Sequence, residues 1–525
     1  MRSLLLLCAL AAPVAADLRF EVSFSAAVHS EALTGRAYVA LSRDDGRPPV
    51  LQVGPDGVPF FGVNVEGLAP GSEAVIDAGV LGFPVPSVDQ LPPGTYVVQP
   101  FFQVYTEFER ADGHTLWLHM DQWEGQNWRR SPGNLYGEPT RVVITGDEQV
   151  VRLEADQKIP PIELEADTPY VKRFRMRSEL LSAFWGREIL IGATVLLPRG
   201  YDEHPDVRYP VNYGQGHFST RAPGGFGRGG AFDALWLADD TPRWIWVTFQ
   251  HPTPFYDDSY AVDSANNGPY GRALTTELMP EIERRFRTIQ EPWARKLSGG
   301  STGGWEALAL QIFHPELFGG AWASCPDSLD FRYHQIVNVY EDTNAYFLER
   351  DWMRVPRPCF RNTDGSLRYT MEQENLYELV VGDRSRSGGQ WDIWEAVFGP
   401  VGADGYPARA WDKRTGAIDH AVSAMWRQYD LRAVLEASWS EIGPLLEGKL
   451  HVYVGDMDNY YLDNGVRLFE EFLESTTDPH YAGEVVYGDG QPHCWGPRGA
   501  ELIEKMTAHC ERWAPEGADL ASWRY

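Results

Sequence analysis

The spacing of hydrophobic and polar residues changes near residue 167. Before that point, short alternating or aromatic runs such as residues 36–41 and 95–105 are separated by proline and glycine. Strand-length runs without helical periodicity predict an antiparallel β-sandwich. The proline-rich stretch at residues 158–161 is the expected boundary of this N-terminal part.

After residue 167, strand-length apolar runs alternate with longer runs of helical period. This alternation predicts a mostly parallel sheet covered by helices, with ligands bound at the carboxyl ends of the strands. The predicted strands are residues 188–197, 209–213, 244–249, 319–324, 450–454 and 484–487, and the clearest predicted helices are residues 271–287, 305–313, 464–473 and 500–512.

Residues 326–447 do not continue the alternation and are rich in aromatic and charged residues. Because this segment leaves the end of a strand, we interpret it as a cap over the carboxyl edge of the sheet, with a peripheral decoration as the alternative. The predicted domains are therefore a sandwich at residues 17–167, an α/β domain at residues 168–325 and 448–525, and the insertion between its two parts.

The first sixteen residues predict an export signal. Arg2 precedes an apolar run at residues 4–12, and Val14-Ala15-Ala16 forms a small-residue cleavage site. The run is too short to span a bilayer, and no later run is long enough either. We expect an exported protein, secreted or periplasmic.

Removal of the signal would leave Cys325, Cys359, Cys494 and Cys510. An even number of cysteines in an oxidising compartment suggests up to two disulfides. Nearness in sequence favours the pairs Cys494–Cys510 and Cys325–Cys359, and four buried thiols are the alternative. A zinc site is not expected, because the chain has no CxxC or HExxH spacing.

The formal charge of −28 over 525 residues is spread along the chain. Such a balance disfavours nucleic acid and anionic membranes as partners.

The strongest chemical signal is Ser301, which lies between Gly299 and Gly303 in a Gly-x-Ser-x-Gly frame. A sharp strand-to-helix turn of this kind exposes a serine oxygen and aims the next N–H at a developing oxyanion. A serine hydroxyl needs a neighbouring base before it can act as a nucleophile. An ordinary glycine-serine loop is the alternative.

Two later strands lead into the groups that such a serine needs, in the chain order serine, acid, histidine. We predict His493 as the base and Asp458 as the acid that orients it, with Asp456 as the reserve. Aspartates 456, 458 and 463 also suggest a calcium loop, but its pattern is incomplete. No metal and no organic cofactor is expected.

Backbone N–H groups of Thr302 and of the glycine-rich loop around His217 are the predicted oxyanion donors. Arg384 and Arg386 in the insertion are candidates for receiving a carboxylate of the substrate, and simple solvation is the alternative. The GxGxxG match at residues 225–230 does not follow a strand that opens a first βαβ unit, so a dinucleotide site is rejected.

The chain resembles the esterase group of α/β-hydrolases that includes enterochelin esterases, feruloyl esterases and S-formylglutathione hydrolases. The resemblance implies an α/β-hydrolase fold, here with an N-terminal antiparallel β-sandwich and a cap-like insertion. It also implies Ser301 as nucleophile, Asp458 as acid and His493 as base. This sequence has Gln215-Gly216 at the position where that esterase group usually has His-Gly. The matching stretches are residues 197–201, 209–211, 277–283, 299–304, 314–318, 455–458 and 492–493.

The expected function is therefore serine-dependent hydrolysis of carboxylic esters through an acyl-enzyme, acting on a small-molecule or polysaccharide-linked ester. A serine peptidase of the prolyl-oligopeptidase kind is one alternative, although the N-terminal β segment is too short for several propeller blades. A non-catalytic module that binds carbohydrate or protein on a hydrolase scaffold is the other.

Overall fold

The computed structural model describes residues 18–120 and 122–525. The predicted export signal lies outside these residues. Contacts divide the described chain into a smaller unit, residues 18–104 with 134–158, and a larger one, residues 105–133 with 159–525. The predicted sandwich boundary at residue 167 differs from this division, which places residues 105–133 in the larger unit.

The smaller unit consists of two sheets that share one apolar core, which includes Phe20, Val39 and Phe102. The pairing of Leu18–Ser23 with Gln149–Glu154 is parallel, so this pair departs from the expected antiparallel pattern. The sandwich itself stays a prediction. One sheet contains Gln149–Glu154, Leu18–Ser23 and Glu73–Ile76, and the other contains Gln157–Lys158, Leu135–Tyr136, Gly94–Val104, Leu33–Ser42, Phe60–Leu68, Gly82–Phe83 and Thr140–Ile144.

The larger unit is built on an eight-stranded sheet. Its strands are β1 Val171–Arg177, β2 Leu190–Leu196, β3 Val211–Gln215, β4 Ile245–Gln250, β5 Arg295–Gly300, β6 Ala321–Ser324, β7 Leu450–Gly455 and β8 Glu484–Gly488. Their order in the sheet is β1-β2-β4-β3-β5-β6-β7-β8. Strands β3 to β8 are mutually parallel, as predicted, and β1 and β2 are antiparallel to their neighbours.

Eleven α-helices are described, all of them in the larger unit. None of the helices in residues 18–120 and 122–525 is long and apolar enough to cross a membrane. The predicted helix at 271–287 is interrupted by a π-helical turn, Leu274–Leu278, just before Pro280, whose missing N–H removes a helical hydrogen bond. The helices are α1 Glu179–Trp185, α2 Ala231–Leu237, α3 Tyr270–Ala273, α4 Met279–Arg285, α5 Thr302–Phe313, α6 Met371–Val381, α7 Gln390–Phe398, α8 His420–Met425, α9 Leu431–Leu446, α10 Asp463–Ser475 and α11 Ala500–Trp513.

The segment 326–447 contains α6 to α9 and two hairpins. Four of its tryptophans, Trp391, Trp394, Trp411 and Trp426, are almost fully buried. They belong to the same apolar core as the sheet residue Leu297. This segment is therefore continuous with the core of the sheet. The hairpins are Phe347–Arg350 with Met353–Pro356 and Pro358–Arg361 with Leu367–Thr370, and further two-stranded pairs of the larger unit are Thr106–Glu109 with Thr115–Leu118 and Asp263–Ser264 with Gly268–Pro269.

Replacing Leu297 by alanine tests the importance of this core. The Leu297 side chain is fully buried in β5, so Leu297→Ala should lower the free energy of unfolding by about 2–5 kcal/mol. Leu445, which is 46% exposed on α9, provides the control. Leu445→Ala should change the free energy of unfolding by no more than about 0.5 kcal/mol. Chemical denaturation measures both values, and equal losses would contradict the assignment of this core.

Candidate active site

Ser301 lies on a sharp turn between β5, which ends at Gly300, and α5, which begins at Thr302. Its backbone has φ 58° and ψ −128°, a region that residues with a side chain rarely adopt. Such backbone strain is typical of functional sites and persists only where the surrounding structure enforces it. The turn thus projects the serine at the carboxyl edge of the sheet.

The two glycines that frame Ser301 are required by close backbone contacts. A Cβ atom added at Gly299 would lie 2.1 Å from the carbonyl oxygen of Gly303, and one added at Gly303 would lie 2.3 Å from that of Gln215. Both distances are far shorter than any non-bonded contact. The Gly-x-Ser-x-Gly frame therefore arises because β5, α5 and the loop after β3 cross at this point.

The structure brings Ser301, His493 and Asp458 into one hydrogen-bonded chain. His493 Nε2 lies 2.9 Å from Ser301 Oγ, and His493 Nδ1 lies 2.7 Å from Asp458 Oδ2. The Asp458 side chain is fully buried, and its Oδ1 accepts an N–H bond from Tyr460. Asp456, the reserve candidate, instead accepts the N–H of Gly490.

The surroundings of His493 favour its protonated form. Burial lowers the pKa of His493, but hydrogen bonds to Asp458 and Cys494, together with their negative charges, raise it above the ordinary value. An imidazole in this environment is a stronger base than free histidine. The arrangement can therefore accept the proton of Ser301 and stabilise the resulting imidazolium.

The loop after β3 packs directly on the turn that carries Ser301. Gly303 has room for no side chain because Gln215 and the Cα of Gly216 are too close. Thr302 is the first residue of α5, where helix N–H groups have no intrahelical acceptor. Thr302 and His217, the predicted oxyanion donors, therefore lie on adjoining pieces of backbone.

The His217 side chain has a different set of partners. Its Nδ1 lies 3.1 Å from a carboxylate oxygen of Asp257 and 3.2 Å from one of Asp258. Burial lowers the pKa of His217, but the two carboxylates raise it above its ordinary value. The two carboxylates therefore favour the protonated imidazole and contact the loop that carries the His217 backbone N–H.

Asp327 is a residue of the site that the sequence analysis missed. It accepts hydrogen bonds from Tyr260 at 2.6 Å and from the Thr302 hydroxyl at 3.0 Å, and it lies 3.5 Å from Ser301 Oγ. Burial raises the pKa of Asp327, despite these hydrogen bonds. Its position three residues past the end of β6 was the signal that could have revealed it, since polar groups of the site follow strand ends.

The two predicted substrate-binding arginines make other contacts. Arg386 is buried, donates to the Trp117 carbonyl at 3.0 Å and stacks on Tyr105. The Arg384 side chain is about half exposed and lies 3.6 Å from Asp404. A role of these arginines in binding a substrate carboxylate stays a prediction.

Both predicted disulfides are wrong, because the four described cysteines are free thiols. Cys494 lies against Cys325 and donates its backbone N–H to the Cys325 sulphur at 2.9 Å. Cys359 contacts Glu374, and Cys510 points at a backbone carbonyl. Nearness in sequence failed as a guide because strand order decides which loops meet at the edge of a sheet.

A sequence model of the family described as "Putative esterase" matches residues 186–489. The chain belongs to this family. The resemblance to esterases expected from the sequence is thereby confirmed, and the match includes Ser301 and Asp458 but ends before His493.

One curated relative of this esterase-family chain is an endo-1,4-beta-xylanase/feruloyl esterase of Xylanibacter ruminicola, 31% identical over 135 residues. The alignment covers 24% of the chain and 18% of that protein, so the chain spans less than a fifth of its length. Among solved structures, a ferulic acid esterase is 15% identical to the chain, with a TM-score of 0.35. The match covers 65% of this chain and 96% of the ferulic acid esterase. An S-formylglutathione hydrolase of Agrobacterium tumefaciens is 16% identical, with a TM-score of 0.36. That match covers 66% of this chain and 97% of the hydrolase.

The crowded turn gives a direct mutational test. We expect Gly303→Ala and Gly299→Ala each to lower the free energy of unfolding by about 1–3 kcal/mol, because the added methyl group collides with backbone. Gly300→Ala is the matched control, since a Cβ there would have its nearest neighbour at 3.6 Å. Thermal unfolding of the three variants provides the comparison. A loss in Gly300→Ala as large as in Gly303→Ala would refute the close crossing.

Proposed function

We propose that this protein is a carboxylic ester hydrolase with Ser301 as nucleophile, His493 as general base and Asp458 as the acid that orients the imidazole. The observation that carries the proposal is a continuous chain of two hydrogen bonds. The first joins Ser301 Oγ and His493 Nε2 at 2.9 Å, and the second joins His493 Nδ1 and Asp458 Oδ2 at 2.7 Å. Membership of the esterase family supports the same chemistry. No step of the proposed reaction requires a metal or an organic cofactor.

In the first half-reaction, Ser301 Oγ attacks the ester carbonyl carbon while its proton passes to His493 Nε2. The carbonyl oxygen becomes an oxyanion, which accepts hydrogen bonds from the backbone N–H groups of Thr302 and His217. The tetrahedral intermediate then collapses, and His493 returns the proton to the leaving alkoxide. An acyl group remains on Ser301 and the alcohol departs.

In the second half-reaction, His493 takes a proton from water, and the resulting hydroxide attacks the acyl carbon. Collapse of the second intermediate returns the proton to Ser301 and releases the acid. Asp458 stabilises the imidazolium in both halves because its carboxylate is buried and lies against Nδ1.

We further propose that the enzyme acts after export, on small-molecule or polysaccharide-linked esters. The relative whose name includes feruloyl esterase makes feruloyl esters the first substrates to test. Arg384, with its half-exposed side chain, is the better placed of the two arginines to meet an acidic substrate. Arg386 is already bound within the protein.

Replacing the nucleophile gives the first test of this function. Ser301→Ala should reduce kcat for an activated ester by about 10⁶-fold, the usual cost of removing a serine nucleophile. Its unfolding transition should stay close to that of the wild type, because the hydroxyl contributes little packing. Ester hydrolysis assays and thermal unfolding measure the two effects. Substantial hydrolysis by Ser301→Ala would exclude the proposed mechanism.

A pair of aspartate variants tests the orienting acid. Asp458→Asn should lower kcat by about 10⁴-fold through loss of imidazole orientation. Because Asp458 raises the pKa of His493, its loss should also shift the acid limb of the kcat/KM profile to lower pH. Asp456→Asn is the matched control and should leave the rate and profile near wild type. The reverse result would make Asp456 the orienting acid.

A further inference from the structure

Three groups that bind soft metal ions lie together beside Ser301. The sulphurs of Cys325 and Cys494 and a ring nitrogen of His493 all lie within 4.8 Å of one another. Cys325 follows the end of β6, and Cys494 directly follows His493 on the loop after β8. Neither thiol forms or breaks a bond in the proposed hydrolysis.

We propose that Cys325, Cys494 and His493 form a binding site for a thiophilic divalent cation such as Zn²⁺, and that the bound cation blocks Ser301. Thiolate and imidazole are the ligands that Zn²⁺ prefers, and three protein ligands leave a fourth position for water. Bonds of about 2.0–2.3 Å from one ion would bring such ligand atoms together with small side-chain rotations.

The second partner of His493 suits a metal ligand. Asp458 holds His493 Nδ1 at 2.7 Å, which reproduces the carboxylate–histidine pair that orients imidazoles in metal sites. Nε2 is the nitrogen left for a cation, and its present partner is the Ser301 hydroxyl at 2.9 Å. A cation on Nε2 would replace this hydrogen bond and remove the base. This inhibitory consequence rests on the proposed esterase function, whereas the binding does not.

One of the three proposed ligands, Cys494, borders a cavity. Cys494 is partly exposed and lines a cavity of about 220 Å³ together with Gly300, Ser324 and Arg498. A hydrogen bond with Cys325 and the neighbouring His493 lower the pKa of Cys494, against the effect of burial.

Both cysteines also have backbone φ angles in the left-handed region, 42° at Cys325 and 61° at Cys494. Strained backbone of this kind is concentrated at functional sites. The other described cysteines lack a second thiol: Cys359 contacts Glu374, and Cys510 points at the Trp293 carbonyl. Cys510 therefore provides a control for general thiol chemistry.

The test uses the full-length, reduced, metal-free protein and Cd²⁺ as the probe. Titration should produce an ultraviolet thiolate-to-cadmium charge-transfer band that saturates at one equivalent. Cys494→Ser and Cys325→Ser should each weaken binding by more than about 100-fold, and Asp458→Asn by about 10- to 100-fold through its hydrogen bond to His493. Cys510→Ser should bind like the wild type. Circular dichroism checks folding, and Cys494→Ser serves alone if the buried Cys325 variant fails to fold.

Absence of the band, an unchanged band in Cys494→Ser, or a Cys325–Cys494 disulfide found by non-reducing peptide mapping would each overturn the site. Zn²⁺ should also slow ester hydrolysis by the wild type and by Cys510→Ser, with a chelator restoring the rate, but should have much less effect on Cys494→Ser. A band in a protein that hydrolyses no ester would retain the metal site and reject the esterase. Ester hydrolysis by a protein that shows no charge-transfer band would retain the esterase and reject the metal site.

Discussion

The crossing of three backbone segments at Ser301 is the constraint on which the candidate site depends. The carbonyl oxygens of Gly303 and Gln215 come so close to neighbouring glycines that no Cβ fits between them. This crowding holds Ser301 at φ 58° and begins α5 at the next residue. It also places the loop after β3 beside the first N–H of that helix. A nucleophile and its oxyanion donors can therefore be fixed by backbone alone.

The parallel strands supply the remaining groups because their carboxyl ends meet at one edge of the sheet. Asp327 follows β6, Asp458 follows β7 and His493 follows β8. Burial of Asp458 makes its hydrogen bond to His493 strong, since a low-dielectric surrounding weakens competition from water. The same geometry brings Cys325 and Cys494 together although they are 169 residues apart. A single edge thus holds both the proposed reaction centre and the proposed cation site.

Much of this arrangement could be predicted from local sequence. The apolar runs of β2, β3, β4 and β6 to β8 and the glycine frame of Ser301 have clear local patterns, and chain order pointed to Asp458 and His493. Strand β1 was missed because it reads Val-Lys-Arg-Phe-Arg-Met-Arg, and edge strands often carry charge. The cysteine contacts, the burial of Arg386 and the approach of Asp327 to Ser301 depend on which distant loops meet, and no local pattern encodes that.

Fluorophosphonate labelling of the purified protein, followed by mapping of the modified residue, tests the central claim most directly. It detects an activated serine without requiring knowledge of the ester. The account predicts a stable, stoichiometric adduct on Ser301 that forms far more slowly in His493→Ala. No adduct on folded protein, or an adduct on another residue that persists in Ser301→Ala, would contradict it.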